Sequence, residues 1–334
     1  MPFTAIQIPT SDGHVLAGTL YTPSLAPAPY GNAHKLPAMI LAPTFSATQN
    51  MGVKNWASHF TQHLWMAVVT FDARGFGASQ GPGIVPQEAL PLAQVSDIQD
   101  ALTFACSHPL IDSSKVALWG SGLSGGHVLH VAAVDKRVRA IISQAPLVNG
   151  WTTTSRRVRY DHVPDLEARF AADRLSRTGA ALAELQADAT KSRVEVSVQQ
   201  PAIVPVVADP KGPERDELCA LPGADSWAHF SRFLGAGGEE SGWKNGVTLR
   251  SLEALRGYMP ETLIARISPT PLLMVIARED RVCGADLALA AYEQALQPKE
   301  VRFVEGGHYS VYGGEKFEGN VEGQIVWLRT VLGL

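Results

Sequence analysis

Val116-Ala117-Leu118-Trp119-Gly120-Ser121-Gly122-Leu123-Ser124-Gly125-Gly126-His127-Val128 is the stretch on which the reading of this chain turns. An apolar run of strand length ends in a cluster of glycines and serines, and apolar side chains then recur at helical spacing to Val134. A short continuous apolar run bounded by turn residues predicts a strand covered on both faces. Within the turn, Gly122-Leu123-Ser124-Gly125-Gly126 matches G-x-S-x-G, the pattern of a serine held at a sharp strand-to-helix corner. The reason for the pattern is steric: the positions two before and two after the corner must be small enough not to collide. Read this way, Ser124 is the candidate nucleophile. The helix then starts directly after it, so the N–H of Gly125 points to where an oxyanion would form.

The same alternation extends in both directions. Upstream, Phe3 to Tyr21 reads as two strands turned at Ser11-Asp12-Gly13, and Ala38 to Ala42 as a buried strand after a Pro- and Ala-rich loop. Met51 to Trp65 carries Val53, Trp56, Phe60 and Leu64 at helical spacing, Met66 to Phe71 is strand-like, and Leu90 to Cys106 is helical. Downstream come a strand at Val138 to Ile142 and, much later, Pro271 to Ala277 (strand), Gly284 to Leu296 (helix), Glu300 to Val304 (strand) and Asn320 to Leu332 (closing helix). Strands alternating with helices predict an α/β fold with a doubly wound, mostly parallel sheet. Between Trp151 and Arg266 the rhythm breaks into amphipathic helix at Asp165 to Ala187 and a Pro-rich passage. We therefore expect a core of residues 1–150 and 267–334 with a largely helical cap inserted at 151–266.

Bulk composition narrows the function. The chain has 334 residues, 46 % hydrophobic and 18 % charged, with a formal net charge of −4. That balance gives a large core and no cationic excess to neutralise phosphates, so neither nucleic acid nor an anionic membrane surface is an expected partner. The one basic cluster, Arg156, Arg157 and Arg159, reads as a solvated face or a charge at a ligand entrance. Three widely spaced cysteines suggest neither a disulfide framework nor a metal cluster, which points to a reducing, cytoplasmic compartment.

A serine hydroxyl needs a base to take its proton and a carboxylate to orient that base. Of the ten histidines, His308 directly follows a predicted core strand, and Asp280 directly follows the preceding one. Both therefore reach the sheet edge that carries the corner, and the chain order Ser124, Asp280, His308 is one that such triads use.

With these residues placed, the chain resembles the α/β-hydrolase superfamily over nearly its whole length. Asp72-Ala73-Arg74-Gly75-Phe76-Gly77-Ala78-Ser79 looks like the superfamily's D-x-R-G-x-G-x-S loop, which is structural. Leu41-Ala42-Pro43-Thr44-Phe45 stands where many members have His-Gly, so the resemblance implies the N–H of Phe45 as the second oxyanion donor. Within the superfamily, the N-terminal hairpin, this turn, the Gly122 to Gly126 corner and the segment from Trp243 to Met274 are similar to a bacterial and fungal group. That group includes hydrolases and polyketide transferases of biosynthetic clusters. The resemblance implies a small-molecule acyl substrate of polyketide type (an ester, lactone or thioester), an acyl-enzyme on Ser124, and transfer to water or to an alcohol. It implies no metal or organic cofactor, and a biosynthetic synthase is a candidate partner. Carbon–carbon bond hydrolysis and a non-hydrolytic, ligand-shaping role remain open alternatives.

Other residues have plainer readings. His127 sits inside the helix after the corner and reads as packing, Glu279 adjoins Asp280 as a rival acid, and Cys283 lies near that loop without a neighbouring cation in sequence. Trp151, Tyr160, Trp227, Phe230 and Trp243 read as a small core of the cap.

Overall fold

The computed structural model describes residues 1–24, 35–158, 160–187, 201–213, 217–235 and 241–334. Its centre is an eight-stranded sheet, ordered β1-β2-β4-β3-β5-β6-β9-β10. The strands are β1 (Phe3–Pro9), β2 (Val15–Tyr21), β3 (Leu36–Leu41), β4 (Ala67–Phe71), β5 (Ile111–Ser121), β6 (Ala140–Gln144), β9 (Leu272–Ala277) and β10 (Lys299–Val304). The opening hairpin makes β1 and β2 antiparallel, and β2 runs antiparallel to β4. All other pairings are parallel. The doubly wound, mostly parallel sheet expected from the continuous apolar runs is present, and β4, β6 and β9 are buried at every position.

Successive side chains of a strand leave opposite faces, and the core divides accordingly. Leu118 of β5 joins Ile40, Val69, Ile141 and Met274 on one side. Its neighbours Ala117 and Trp119 join Met39, Val68, Ile142 and Val275 on the other. The second face is covered by α1 (Val53–Leu64) and the closing helix Glu315–Leu332. Trp56 packs edge-on against Phe317 of that helix with ring centroids 4.8 Å apart. The first face is covered by α2 (Pro91–Ser107) and α3 (Leu123–Val134). The closing helix begins earlier than its periodicity predicts because Gly319 interrupts the pattern without ending the helix.

The chain between β6 and β9 adds no strand to the main sheet among the described residues. It holds α4 (Gly150–Arg157), α5 (Val163–Ala187), the two-residue strands β7 (Ile203–Val204) and β8 (Val247–Thr248), α6 (Ala224–Phe230) and α7 (Leu249–Arg256). β7 and β8 pair only with each other. Asn149 caps α4 by accepting from the Thr152 N–H at 2.8 Å. Gly150 lets that helix lie against α7: a Cβ there would stand 1.8 Å from the Leu255 carbonyl oxygen. The aromatic core expected here is only partly formed. Phe230 and Trp243 are buried and stack at 5.3 Å, whereas Trp151 and Tyr160 are exposed at 54 % and 90 %. Arg159 lies outside the described residues.

Candidate active site

β5 runs to Ser121 and α3 begins at Leu123, so one residue, Gly122, makes the whole corner. Its φ of 60° and ψ of −122° lie in the left-handed half of the map, which side chains rarely adopt. The close approach that demands small residues also centres on this position. A Cβ on Gly120 would stand 2.1 Å from the Ser124 carbonyl oxygen, so the residues two before and two after the apex are Gly120 and Ser124.

The apex is therefore two positions earlier than the sequence pattern placed it, and Ser124 is not at it. Ser124 is fully buried inside the first turn of α3. Its Oγ accepts from the Ser121 N–H at 2.9 Å and is 3.0 Å from both the Ala42 and the Ser121 carbonyl oxygens, to which it donates. No hydrogen bond joins it to His308 among the described residues. Its hydroxyl ties the end of β3 to the corner. Gly125, the expected oxyanion donor, is displaced with it: its Cβ position would lie 2.9 Å from Pro146, away from the cavity lining. The N–H that directly follows the apex is that of Leu123, the first residue of α3, which has no intrahelical acceptor. Phe45 lines the same cavity, and its N–H makes no backbone hydrogen bond among the described residues.

His308 and Asp280 are where the strand ends were expected to bring them. Asp280 follows β9, His308 follows β10, and His308 Nδ1 lies 2.8 Å from Asp280 Oδ2. The carboxylate only accepts, so the imidazole donates from Nδ1 and Nε2 is left as the acceptor. Asp280 Oδ1 in turn accepts from the N–H groups of Val282 and Cys283 at 2.8 and 2.9 Å. Both side chains are buried. Burial by itself disfavours the His308 cation, but Asp280, Cys283 and Tyr312 together outweigh it and hold the imidazole well above its ordinary range. Burial likewise works against the Asp280 anion, and the His308 charge and hydrogen bond overcome it, keeping that carboxyl below its usual value.

Nε2 of His308 faces the apex: a Cβ on Gly122 would lie 3.7 Å from it, 3.6 Å from the Tyr312 hydroxyl and 2.8 Å from Thr44 Oγ1. The Thr44 hydroxyl thus stands beside the volume where a nucleophile's side chain would begin. Tyr312 accepts a hydrogen bond from Ser121 Oγ at 2.8 Å. Around this point opens a cavity of about 300 Å³, lined by Thr44, Phe45, Gly122, Leu123, Cys283 and His308 among others. The segment between β6 and β9 supplies His229, which stacks on Tyr309 at 4.4 Å. Burial, helped by the charges of Arg232 and His308, pushes His229 down to about 3, so it is a neutral ring.

Cys283 was read in sequence as a bystander, yet its buried thiol lies within 4.8 Å of both the Asp280 carboxylate and a His308 ring nitrogen. These three groups are of metal-ligating type, but both oxygens of Asp280 are already engaged by His308 and two backbone N–H groups. Glu279 makes no hydrogen bond to His308 among the described residues. His127 is fully enclosed, with its nitrogens 2.9 Å from the Tyr258 hydroxyl and 3.1 Å from Gln94 Oε1, and burial pushes it down to about 3. The packing role read for it agrees with that enclosure. Gly122, Leu123, Thr44 and Tyr312 were missed as site residues. The one sequence signal that bore on Gly122 was the second overlapping match of the small-residue pattern, Gly120 to Ser124.

The sequence profile of the alpha/beta hydrolase fold matches residues 37–315. Among characterised proteins, a thiohydrolase of Aspergillus aculeatus is 29 % identical, the match covering 99 % of this chain and 94 % of that protein. A polyketide transferase of Penicillium crustosum is 26 % identical over 99 % of this chain and 98 % of that one. The crystal structure of the α/β hydrolase GrgF from a Penicillium species superposes with a TM-score of 0.77 at 24 % identity, covering all of both chains. No helix among the described residues is long and apolar enough to cross a membrane.

Proposed function

The chain belongs to the α/β-hydrolase fold family and is an enzyme of hydrolase or acyltransferase type, and on that premise we propose that it transfers an acyl group from a thioester or ester directly to water or an alcohol, with His308 as the general base. The observation that carries this reading is the pairing of an oriented His308–Asp280 dyad with a glycine at the apex it faces. A base without a side-chain nucleophile in front of it has a use when the acceptor itself occupies that space.

In this mechanism the acyl carbonyl oxygen lies between the N–H groups of Leu123 and Phe45, which are positioned before the reaction and strengthen their hold as charge develops. A water or alcohol sits against Gly122, within reach of the Thr44 and Tyr312 hydroxyls. His308 Nε2 takes its proton as it attacks, and Asp280 stabilises the resulting imidazolium. Collapse of the tetrahedral intermediate expels the leaving group, to which His308 returns the proton. A thioester is the better fit, because a thiol leaves far more readily than an alcohol when no covalent relay divides the barrier. The likeness to a thiohydrolase supports the same choice.

Cys283 favours a second reading. Its thiol lies within 4.8 Å of the dyad groups, so it is a candidate to carry the acyl group in place of the missing elbow nucleophile. The test for both is turnover of octanoyl-N-acetylcysteamine, followed by release of the free thiol. Turnover by the native protein that falls at least about 100-fold in His308→Ala is expected for general-base catalysis; undiminished turnover in that variant rejects it. Equal loss in Cys283→Ser and His308→Ala would transfer the claim to the thiol.

A further inference from the structure

We infer that the cavity takes an acyl donor bearing an anionic group, a carboxylate or a phosphate, and that Arg157 binds that group. This deepens the reading above and rests on it. Arg157 lies at the end of α4 and lines both the catalytic cavity and a second cavity of about 500 Å³, whose lining mixes Arg169, Arg256 and His162 with Asp165 and Glu217. Among the described residues lining the catalytic cavity there are two arginines, Arg157 and Arg232, and no aspartate or glutamate. For a chain of net charge −4 that is a local reversal of sign.

The hydrogen bonds of Arg157 sharpen the point. Its Nη1 donates to the Ala220 carbonyl at 3.1 Å and its Nη2 to the Val282 carbonyl at 2.5 Å. Both acceptors are neutral, so the side chain is fixed in place and no carboxylate among the described residues pairs with it. A guanidinium has five N–H donors in a planar fork suited to the paired oxygens of a carboxylate or phosphate, and donors remain after these two bonds. Its neighbour Arg156 is spoken for by Asp286, with contacts of 2.9 and 2.8 Å. A half-buried guanidinium that pairs with no carboxylate among the described residues keeps donors to offer an incoming anion, and a charge-assisted pair with it is stronger than its bonds to neutral carbonyls. Arg157, Val282 and His308 line the same cavity, so an anion held by Arg157 shares it with the base. The charge of Arg157 also reaches Tyr309, the residue after His308, where it acts against the burial that raises that phenol to about 12.

The experiment compares matched donors on the native protein and on Arg157→Gln, which keeps hydrogen-bond donors for the two carbonyls but removes the charge. The donors are the N-acetylcysteamine thioesters of octanoic and suberic acids, and octanoyl-pantetheine with and without its 4′-phosphate. A KM for one anionic donor that rises about tenfold or more in the variant, with its neutral counterpart unchanged, supports the inference. The suberyl or the phosphorylated arm, whichever responds, identifies the acyl chain or the leaving group as the source of the anion. Equal effects on charged and neutral donors, or no effect on either, overturn it in favour of a structural clamp. Calorimetric binding of the same four compounds to His308→Ala gives a readout independent of turnover. If nothing is turned over but the anionic compounds bind more tightly than their neutral partners, the general-base reading fails while the anion site stands.

Discussion

A Cβ placed on Gly122 would lie 3.7 Å from Nε2 of His308. The base and its orienting carboxylate are thus set for a nucleophile whose position on the chain holds no side chain. The two hydroxyls that flank it in sequence are engaged elsewhere: that of Ser121 by Tyr312 and that of Ser124 by the carbonyls of Ala42 and Ser121.

Ser124→Ala is expected to behave as a structural change. Removing its Oγ leaves the Ser121 N–H and the Ala42 carbonyl without this partner inside the core, at a cost of about 1–3 kcal/mol. Chemical denaturation reads the stability, and thioester turnover by the folded fraction should stay within a few-fold of the native protein. A loss of activity as deep as that of His308→Ala, in a variant that remains folded, would restore Ser124 to the mechanism.

The pH profile carries the signature of His308. The imidazole must be neutral to accept a proton, and Asp280, Cys283 and Tyr312 raise its pKa above the usual 6.5 in spite of burial. Activity should therefore rise with pH along an acid limb centred above 6.5. Asp280→Asn removes the carboxylate that supports the cation, so the limb should move to lower pH while the plateau rate falls about 100-fold or more. An acid limb that does not move in Asp280→Asn would mean that another group titrates there.

Cys283 separates direct transfer from a covalent relay. Direct transfer predicts that Cys283→Ser keeps most of its turnover and that no acyl adduct of the native protein accumulates in quenched-flow mass spectra. An acyl group found on Cys283, with burst kinetics, decides for the relay.

Two glycines in helices should respond with opposite signs. Alanine is ordinarily the better helix former by about 1 kcal/mol, and Gly179 in α5 has nothing within 4 Å of its Cβ position, so Gly179→Ala should raise the melting temperature slightly. At Gly150 the added carbon would meet the Leu255 and Tyr258 carbonyl oxygens at 1.8 and 2.7 Å. Overpacking there outweighs the propensity gain, and Gly150→Ala should lose about 1–3 kcal/mol. A stabilised Gly150→Ala would show that α4 is free to shift away from α7.

The strands and helices of the core were legible because runs such as Leu272–Ala277 are apolar on both faces, a pattern that only a covered parallel strand needs. His308 and Asp280 were legible for a related reason: adjacent parallel strands deliver their following residues to one edge of the sheet. The corner was not. Gly120, Ser121, Gly122, Ser124, Gly125 and Gly126 are all small, so the pattern fits at two registers, and only the length of β5 and the contact of Gly120 with Ser124 select between them. Cys283 was hidden, and Arg157 was left between a solvated face and a charge at a ligand entrance, because what distinguishes them lies in neighbours far away in sequence. Ala220, which fixes Arg157, and the elbow both come from other parts of the chain.

The central claim, that the nucleophile's place is Gly122 and is empty of a side chain, is tested most directly by treating the native protein and Gly122→Ser with a fluorophosphonate and locating the adduct by peptide mass spectrometry. The account predicts no phosphonylated serine in the native protein and, once Thr44 yields the 2.8 Å contact, an adduct on residue 122 of the variant. A native protein phosphonylated on Ser124 would contradict it.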